Sequence, residues 1–212
     1  MTARLCPGDV IMPAPIDFYF DLSSPNSYLA ARKIGDVAKL YDRAVHWWPI
    51  TLGVIFQTIQ NRPLIEQPLK ADYTDRDVRR MARHMGLPFA TLVADCPFAS
   101  HVGPRAIYWA ADQQEGADGR LAVALFQVVF ERGQSITDAA AVGRIADAVG
   151  LDGAALIDAV AMPAVKERLR AANDRALAAG VCGAPFFIVD EEPFWGCDRL
   201  DHVERWLATG GW

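Results

Sequence analysis

Only four cysteines occur in the 212 residues, Cys6, Cys96, Cys182 and Cys197, and no two of them form a Cys-x-x-Cys pair. Their wide spacing argues against a disulfide framework and suits the reduced thiols of a cytoplasmic protein. No Cys/His pair stands at zinc-ligand spacing, and His46, His84, His101 and His202 are scattered, so no metal is expected. Positive charge is not in excess: 21 Lys and Arg against 26 Asp and Glu leave a net charge of −5. Nucleic acid would find no basic stripe, and an anionic membrane surface no Lys/Arg cluster. Long apolar runs are also missing. Leu121 to Phe130 falls well short of the roughly 20 residues of a membrane span. Residues 1–15 are broken by Pro7, Gly8, Pro13 and Pro15, too often for a signal sequence, and read as a flexible leader. Internal repeats and low-complexity segments are not seen either. A small molecule or a protein is therefore the expected partner.

What is present is a 52% hydrophobic, 22% charged chain, long enough for one compact domain or one domain carrying a large insertion. Ile16 to Asp21 is rich in β-branched and aromatic residues and ends in a Ser-Ser-Pro turn signal, which predicts a first strand. Pro25 suits the first position of a helix, so Ser24 becomes the N-cap of a helix running to about Tyr41. Val45 to Ile50 reads as a second strand, completing a β-α-β unit. The pattern then turns helical. Thr74 with Asp77 resembles a capping box, followed by the stripe Val78, Met81, Ala82, Met85 that Gly86 and Pro88 end. Three further stripes follow, through Val102–Ala110, Leu121–Val129 and Val142–Val149. A short helix started by Asp152 and a longer one from about Pro163 to Ala179 close the block. Pro185 to Asp190 and Phe194 to Gly196 predict a hairpin, and Asp198 or Arg199 opens a last helix. The order β-α-β, helical block, β-β-α is satisfied by a four-stranded sheet interrupted by a helical insertion.

Ser24-Pro25-Asn26-Ser27 carries the most chemistry. It stands where a strand gives way to a helix, whose unpaired N–H groups and partial positive charge stabilise an anion. A Ser hydroxyl cannot form disulfides, so thiol–disulfide exchange at this turn is excluded. Taken alone, Ser before Pro is also an ordinary helix cap. Trp47, Trp48, Trp109 and Phe98 could line an aromatic acceptor pocket, although aromatics at such spacing usually belong to a core.

Asp17-Phe18-Tyr19-Phe20-Asp21, with Ser24-Pro25 and Ser27-Tyr28-Leu29-Ala30 after it, resembles the family of 2-hydroxychromene-2-carboxylate isomerase and the kappa-class glutathione transferases. Gly183-Ala184-Pro185-Phe186-Phe187 and Trp195-Gly196-Cys197-Asp198-Arg199 supply two more of its motifs in the same order. The resemblance implies an α/β thioredoxin-like fold, a four-stranded mixed sheet with a large all-helical insertion. Residues 16–60 and 180–212 would form the thioredoxin-like domain and 61–179 the insertion. Glutathione is the implied cofactor. Ser24 would donate a hydrogen bond to its sulfur, Ala184 would offer its backbone N–H and C=O to the cysteinyl part, and Pro185 would be a cis-proline keeping that backbone open. Asp198 would pair with the amino group of the γ-glutamyl end, and Cys197 stands where relatives often have serine. Asn61 and Lys70 match an Asn and a Lys expected near the substrate or the glycine end.

The implied activity is a glutathione-dependent isomerisation in aromatic catabolism, by reversible addition of the thiolate to an activated double bond of a small aromatic substrate. A kappa-type transferase or peroxidase and a non-catalytic thiol- or peptide-binding protein are the alternatives. A cytoplasmic homodimer is the expected form. Asn26 departs from the pattern, because the isomerases and kappa transferases usually carry an aromatic residue there; the change replaces apolar packing beside the active turn with a hydrogen-bonding amide.

Overall fold

The computed structural model describes residues 13–90 and 100–212. Cys6, Cys96, Phe98 and most of the leader lie outside the described residues. Strand β1 (Ile16–Phe20) runs parallel to β2 (Val45–Pro49), and helix α1 (Pro25–Leu40) connects them. Strand β3 (Phe186–Val189) pairs antiparallel with β1, and β4 (Glu192–Trp195) antiparallel with β3, so the mixed sheet has the order β2-β1-β3-β4. The central strand thus comes from one end of the chain and its neighbour β3 from the other.

Between β2 and β3 lie α2 (Leu52–Ile59), α3 (Lys70–His84), α4 (Val102–Ala110), α5 (Ala117–Phe130), α6 (Ala139–Ala148), α7 (Gly153–Ala159) and α8 (Pro163–Ala178). Helix α9 (Leu200–Thr209) follows the hairpin, after a 3-10 turn over Cys197–Arg199. Local chemistry explains several of these starts. Pro25 occupies the first turn of α1, and Pro163 that of α8. Asp152 caps α7 by accepting from the Ala155 N–H at 2.9 Å.

Two elements depart from the expectation. Helix α2 has no counterpart in the periodicity, since it buries only Ile55. Helix α3 begins at Lys70, which overturns the capping box at Thr74 and Asp77. Nothing in Lys70–Tyr73 breaks a helix, and Asp72 places negative charge in the first turn, so the helix extends back to Leu69, whose backbone is left-handed at φ 67°. Asp77 instead pairs with Arg80 on the surface of the helix.

The two faces of the sheet bury different sets. Phe18 and Phe20 point to one side, where Tyr28, Leu29, Phe126 and Phe130 pack on them together with Phe187 and Val203. Phe18 stacks on Phe187 with ring centroids 5.2 Å apart, and Phe126 lies 5.6 Å from Phe20. Tyr19 points the other way, onto Ile50, Ile55, Ala176, Val181 and Phe186. Side chains alternate along a strand, so Trp47 joins Phe18 and Phe20 while Trp48 stacks on Tyr19. The two tryptophans therefore cannot line one acceptor pocket, which corrects that expectation.

Phe126 bridges α1, α5 and the sheet with no solvent exposure. Replacing Phe126 by Ala should lower the free energy of unfolding by about 3–5 kcal/mol. Denaturant titration of both proteins measures the difference.

Candidate active site at the Ser24 turn

The carboxyl ends of β1 and β2 and the amino end of α1 meet at residues 21–27. Ser24 is the N-cap of α1 in extended conformation, and its Oγ accepts from the Ser27 N–H at 3.2 Å. The same oxygen donates to the Ala184 carbonyl at 3.2 Å, across 160 residues of sequence. Ser24 is 8% exposed, so this hydroxyl sits at the floor of the site.

Ala184 belongs to the loop entering β3, and the Ala184–Pro185 peptide is cis. The Pro185 carbonyl accepts from the Gly196 N–H at 3.0 Å, which fixes this loop against the end of β4. At two glycines an added side chain would collide with its surroundings. A Cβ on Gly183 would stand 2.8 Å from Trp195 Cε2, inside the indole that covers it. Gly196 has φ 113°, and a Cβ there would strike the Asp198 carboxylate. Ala184 N–H and Asn26 N–H donate to nothing among the described residues. Both are donors to spend on a ligand, and the α1 dipole adds to them.

Asp21 holds the turn in shape, a role the sequence reading did not give it. Its Oδ1 accepts from the Ser23 N–H and Oγ at 2.7 and 2.6 Å, and its Oδ2 accepts from the Leu52 N–H at 2.7 Å. The Asp21 N–H in turn donates to Ser27 Oγ at 3.4 Å. One carboxylate thereby caps the first amide of α2 and closes the bend before Ser24. Burial pushes the Asp21 pKa above its usual 3.8, against the lowering effect of the Leu52 and Ser23 hydrogen bonds. The signal in the sequence is an acid two residues before Ser23-Ser24-Pro25, the spacing of an Asx side-chain-to-backbone turn.

On the far wall, Cys197 is 5% exposed and its Sγ–H donates to Asn26 Oδ1 at 3.5 Å. Burial, aided by the charge of Asp198, pushes this thiol up to about 12, so it stays protonated at neutral pH. Asp198 is exposed beside the Arg199 guanidinium, 3.4 Å away. It makes no capping bond to α9. Cys197 and Asp198 also line a pocket of about 230 Å³ with Met81, His84, Asp201 and Glu204. Asn61, on the link after α2, and Lys70, the first residue of α3, are both exposed. Gln67 joins them, donating to Asn61 Oδ1 at 3.4 Å and accepting from Lys70 Nζ at 2.8 Å. Ser24, Ala184, Pro185, Cys197 and Asp198 are thus brought to one end of the sheet. Asn61 and Lys70 form no hydrogen bond with them.

A β2-β1-β3-β4 sheet, a helical segment between its halves, and a helix-capping hydroxyl facing the peptide before a cis-proline define a thioredoxin fold whose active turn carries no thiol. The chain belongs to the DSBA-like thioredoxin domain family, whose model matches residues 15–208, and within it groups with the 2-hydroxychromene-2-carboxylate isomerases. It is 31% identical to the 2-hydroxychromene-2-carboxylate isomerase of Sphingobium xenophagum over 201 residues, covering 92% of this chain and 99% of that protein. The isomerase of the same name from Pseudomonas sp. (strain C18) is 28% identical, over 92% of this chain and 90% of its own. A solved 2-hydroxychromene-2-carboxylate isomerase structure superposes with a TM-score of 0.83 at 26% identity, over 92% of this chain and 94% of that one. A probable DsbA oxidoreductase from Streptomyces coelicolor shares the fold at a TM-score of 0.72 and 19% identity, over 92% and 88% of the two chains.

Replacing Asp21 by Asn would oppose an amide donor to the donors it now satisfies, which should cost about 1–3 kcal/mol of stability. The raised native pKa means that the folded state binds more protons than the unfolded state just above pH 3.8. Stability contributed by Asp21 therefore falls as pH rises from 3.8 towards the native value, and Asp21→Asn should lose that slope. Urea titrations of both proteins through the acid range check it.

Proposed function

We propose that the chain is an isomerase that uses glutathione as a recoverable nucleophile, acting on an electron-poor double bond of an aromatic compound of the 2-hydroxychromene-2-carboxylate type. The observation that carries this reading is the Ser24 hydroxyl at the α1 N-terminus, 3.2 Å from the Ala184 carbonyl. Relatives named as isomerases across nearly the full length support it.

The residues suit a thiol tripeptide. When bound, glutathione supplies a thiolate that adds reversibly to the double bond and is recovered after each turnover. Ser24 donates its proton to that sulfur by turning it away from the Ala184 carbonyl, a modest exchange because the bond given up is a weak one at 3.2 Å. The Asn26 N–H and the α1 dipole add positive potential at the same point. Ala184 offers its unspent N–H to the cysteinyl backbone. Asp198, with Asp201 and Glu204 in the adjoining pocket, offers carboxylates to the γ-glutamyl ammonium, and Lys33 of the same lining offers a cation to its carboxylate. Asn61 and Lys70 are proposed to meet the acceptor or the glycine carboxylate. Glutathione is not consumed in this scheme. Net loss of glutathione would instead assign the chain to the kappa-type transferases or peroxidases.

Ser24→Ala should lower turnover by roughly 10- to 100-fold, as expected for the loss of about 1.5–3 kcal/mol in a hydrogen bond to a charged group. The assay follows ring opening of 2-hydroxychromene-2-carboxylate with glutathione present and absent. Turnover and bound-thiol pKa both untouched in Ser24→Ala would remove Ser24 from the mechanism.

A further inference from the structure

The contact between Cys197 and Asn26 joins the third turn of the site to the second position of α1, and neither end of it follows from the family pattern. Ser24 has a single proton, engaged by the Ala184 carbonyl. Asn26 carries two donor groups, the backbone N–H and the side-chain Nδ2, and neither donates to anything among the described residues. Its Oδ1 is held by the Cys197 thiol at 3.5 Å. A carboxamide whose oxygen is engaged on one side has its NH2 directed to the other. A terminal carboxamide otherwise turns over with little preference, since its two ends are nearly equal in size. The thiol proton against Oδ1 biases that choice, since in the flipped state the NH2 would meet only sulfur, a weak acceptor.

We propose that Asn26 is a second hydrogen-bond donor to the bound glutathione sulfur, and that the Cys197 thiol is the positioning group that keeps the Asn26 NH2 turned towards it. This inference rests on the glutathione reading above. The thiol is suited to the role because it remains protonated well above neutral pH and so donates at every pH at which the enzyme would work. A thiolate there would reverse the preference and draw the NH2 to itself.

The experiment measures the thiol pKa of bound glutathione by thiolate absorbance, and the affinity for glutathione and S-methylglutathione by calorimetry, for the native chain and four variants. Asn26→Ala should raise the bound-thiol pKa by about one unit, equivalent to tenfold weaker binding of the thiolate form, and leave S-methylglutathione affinity unchanged because it has no ionisable sulfur. Asn26→Asp should raise it further, since it brings a negative charge to the sulfur. Cys197→Ser, whose hydroxyl still donates, should keep the native value, while Cys197→Ala should give part of the Asn26→Ala shift. A native-like thiol pKa in Asn26→Ala, or an equal loss of both ligands, overturns the donor role. A native value in Cys197→Ala overturns the positioning role. If the native chain binds neither ligand, the glutathione reading fails and this inference with it; binding with a lowered thiol pKa that Asn26→Ala leaves in place sinks this inference alone.

Discussion

Ser24 is tied twice, by the Ser27 N–H that it accepts and by the Ala184 carbonyl to which it donates. The first bond starts α1 and the second reaches the loop before β3, 160 residues on. Everything that could hold a ligand depends on that pair. The α1 N-terminus provides positive potential only if the helix begins at Ser24. The Ala184 backbone faces it only if β3 inserts beside β1, as the pairing of Tyr19 with Phe186 requires. The aromatic packing on Phe18 and Phe20 therefore serves the site directly, because it sets the register that brings Ala184 opposite the hydroxyl.

Asp21 extends the same constraint to the insertion. Its carboxylate binds the Leu52 amide and the Ser23 bend at once, so α2 leaves the sheet from a point fixed by the active turn. Through α2 the position of the Asn61 and Lys70 link is set as well. A charged group shielded from water is costly unless its oxygens are occupied, and here three donors occupy them. Its raised pKa shows that burial outweighs those donors.

The sheet and α1 were legible because their signals are local: a β-branched and aromatic run, a serine before a proline, and a second such run across a short link. Helices α4 to α8 were legible from apolar spacing and from caps such as Asp152. Helix α2 was not, because its cap is supplied by Asp21 from 31 positions away and only Ile55 faces the core. Thr74 and Asp77 misled because a capping pattern inside a continuous run of helix formers has no power to start a new helix. Trp47 and Trp48 are neighbours in sequence alone, since the pleat sends them to opposite faces, where each packs against a core. Among the site residues, those that meet at the end of the sheet were carried by three separated motifs. The Cys197 contact with Asn26 was not, because nothing in the spacing of two residues 171 apart says that a thiol will meet an amide.

A thioredoxin fold normally spends the field of its first helix on a cysteine of its own. In this chain the turn holds hydroxyls, and the thiol that contacts α1, Cys197, is buried and kept protonated by that burial. No thiolate of the described residues occupies the α1 N-terminus, and the Asp21 carboxylate beside the turn is directed to the Ser23 and Leu52 donors. A helix N-terminus capped by a neutral Ser24, with the Asn26 and Ala184 amides unspent around it, has lower energy when an anion comes from outside. Removing the thiols therefore does more than abolish disulfide exchange at the turn. It leaves the α1 field free of any sulfur of the turn's own and available to an anion from outside.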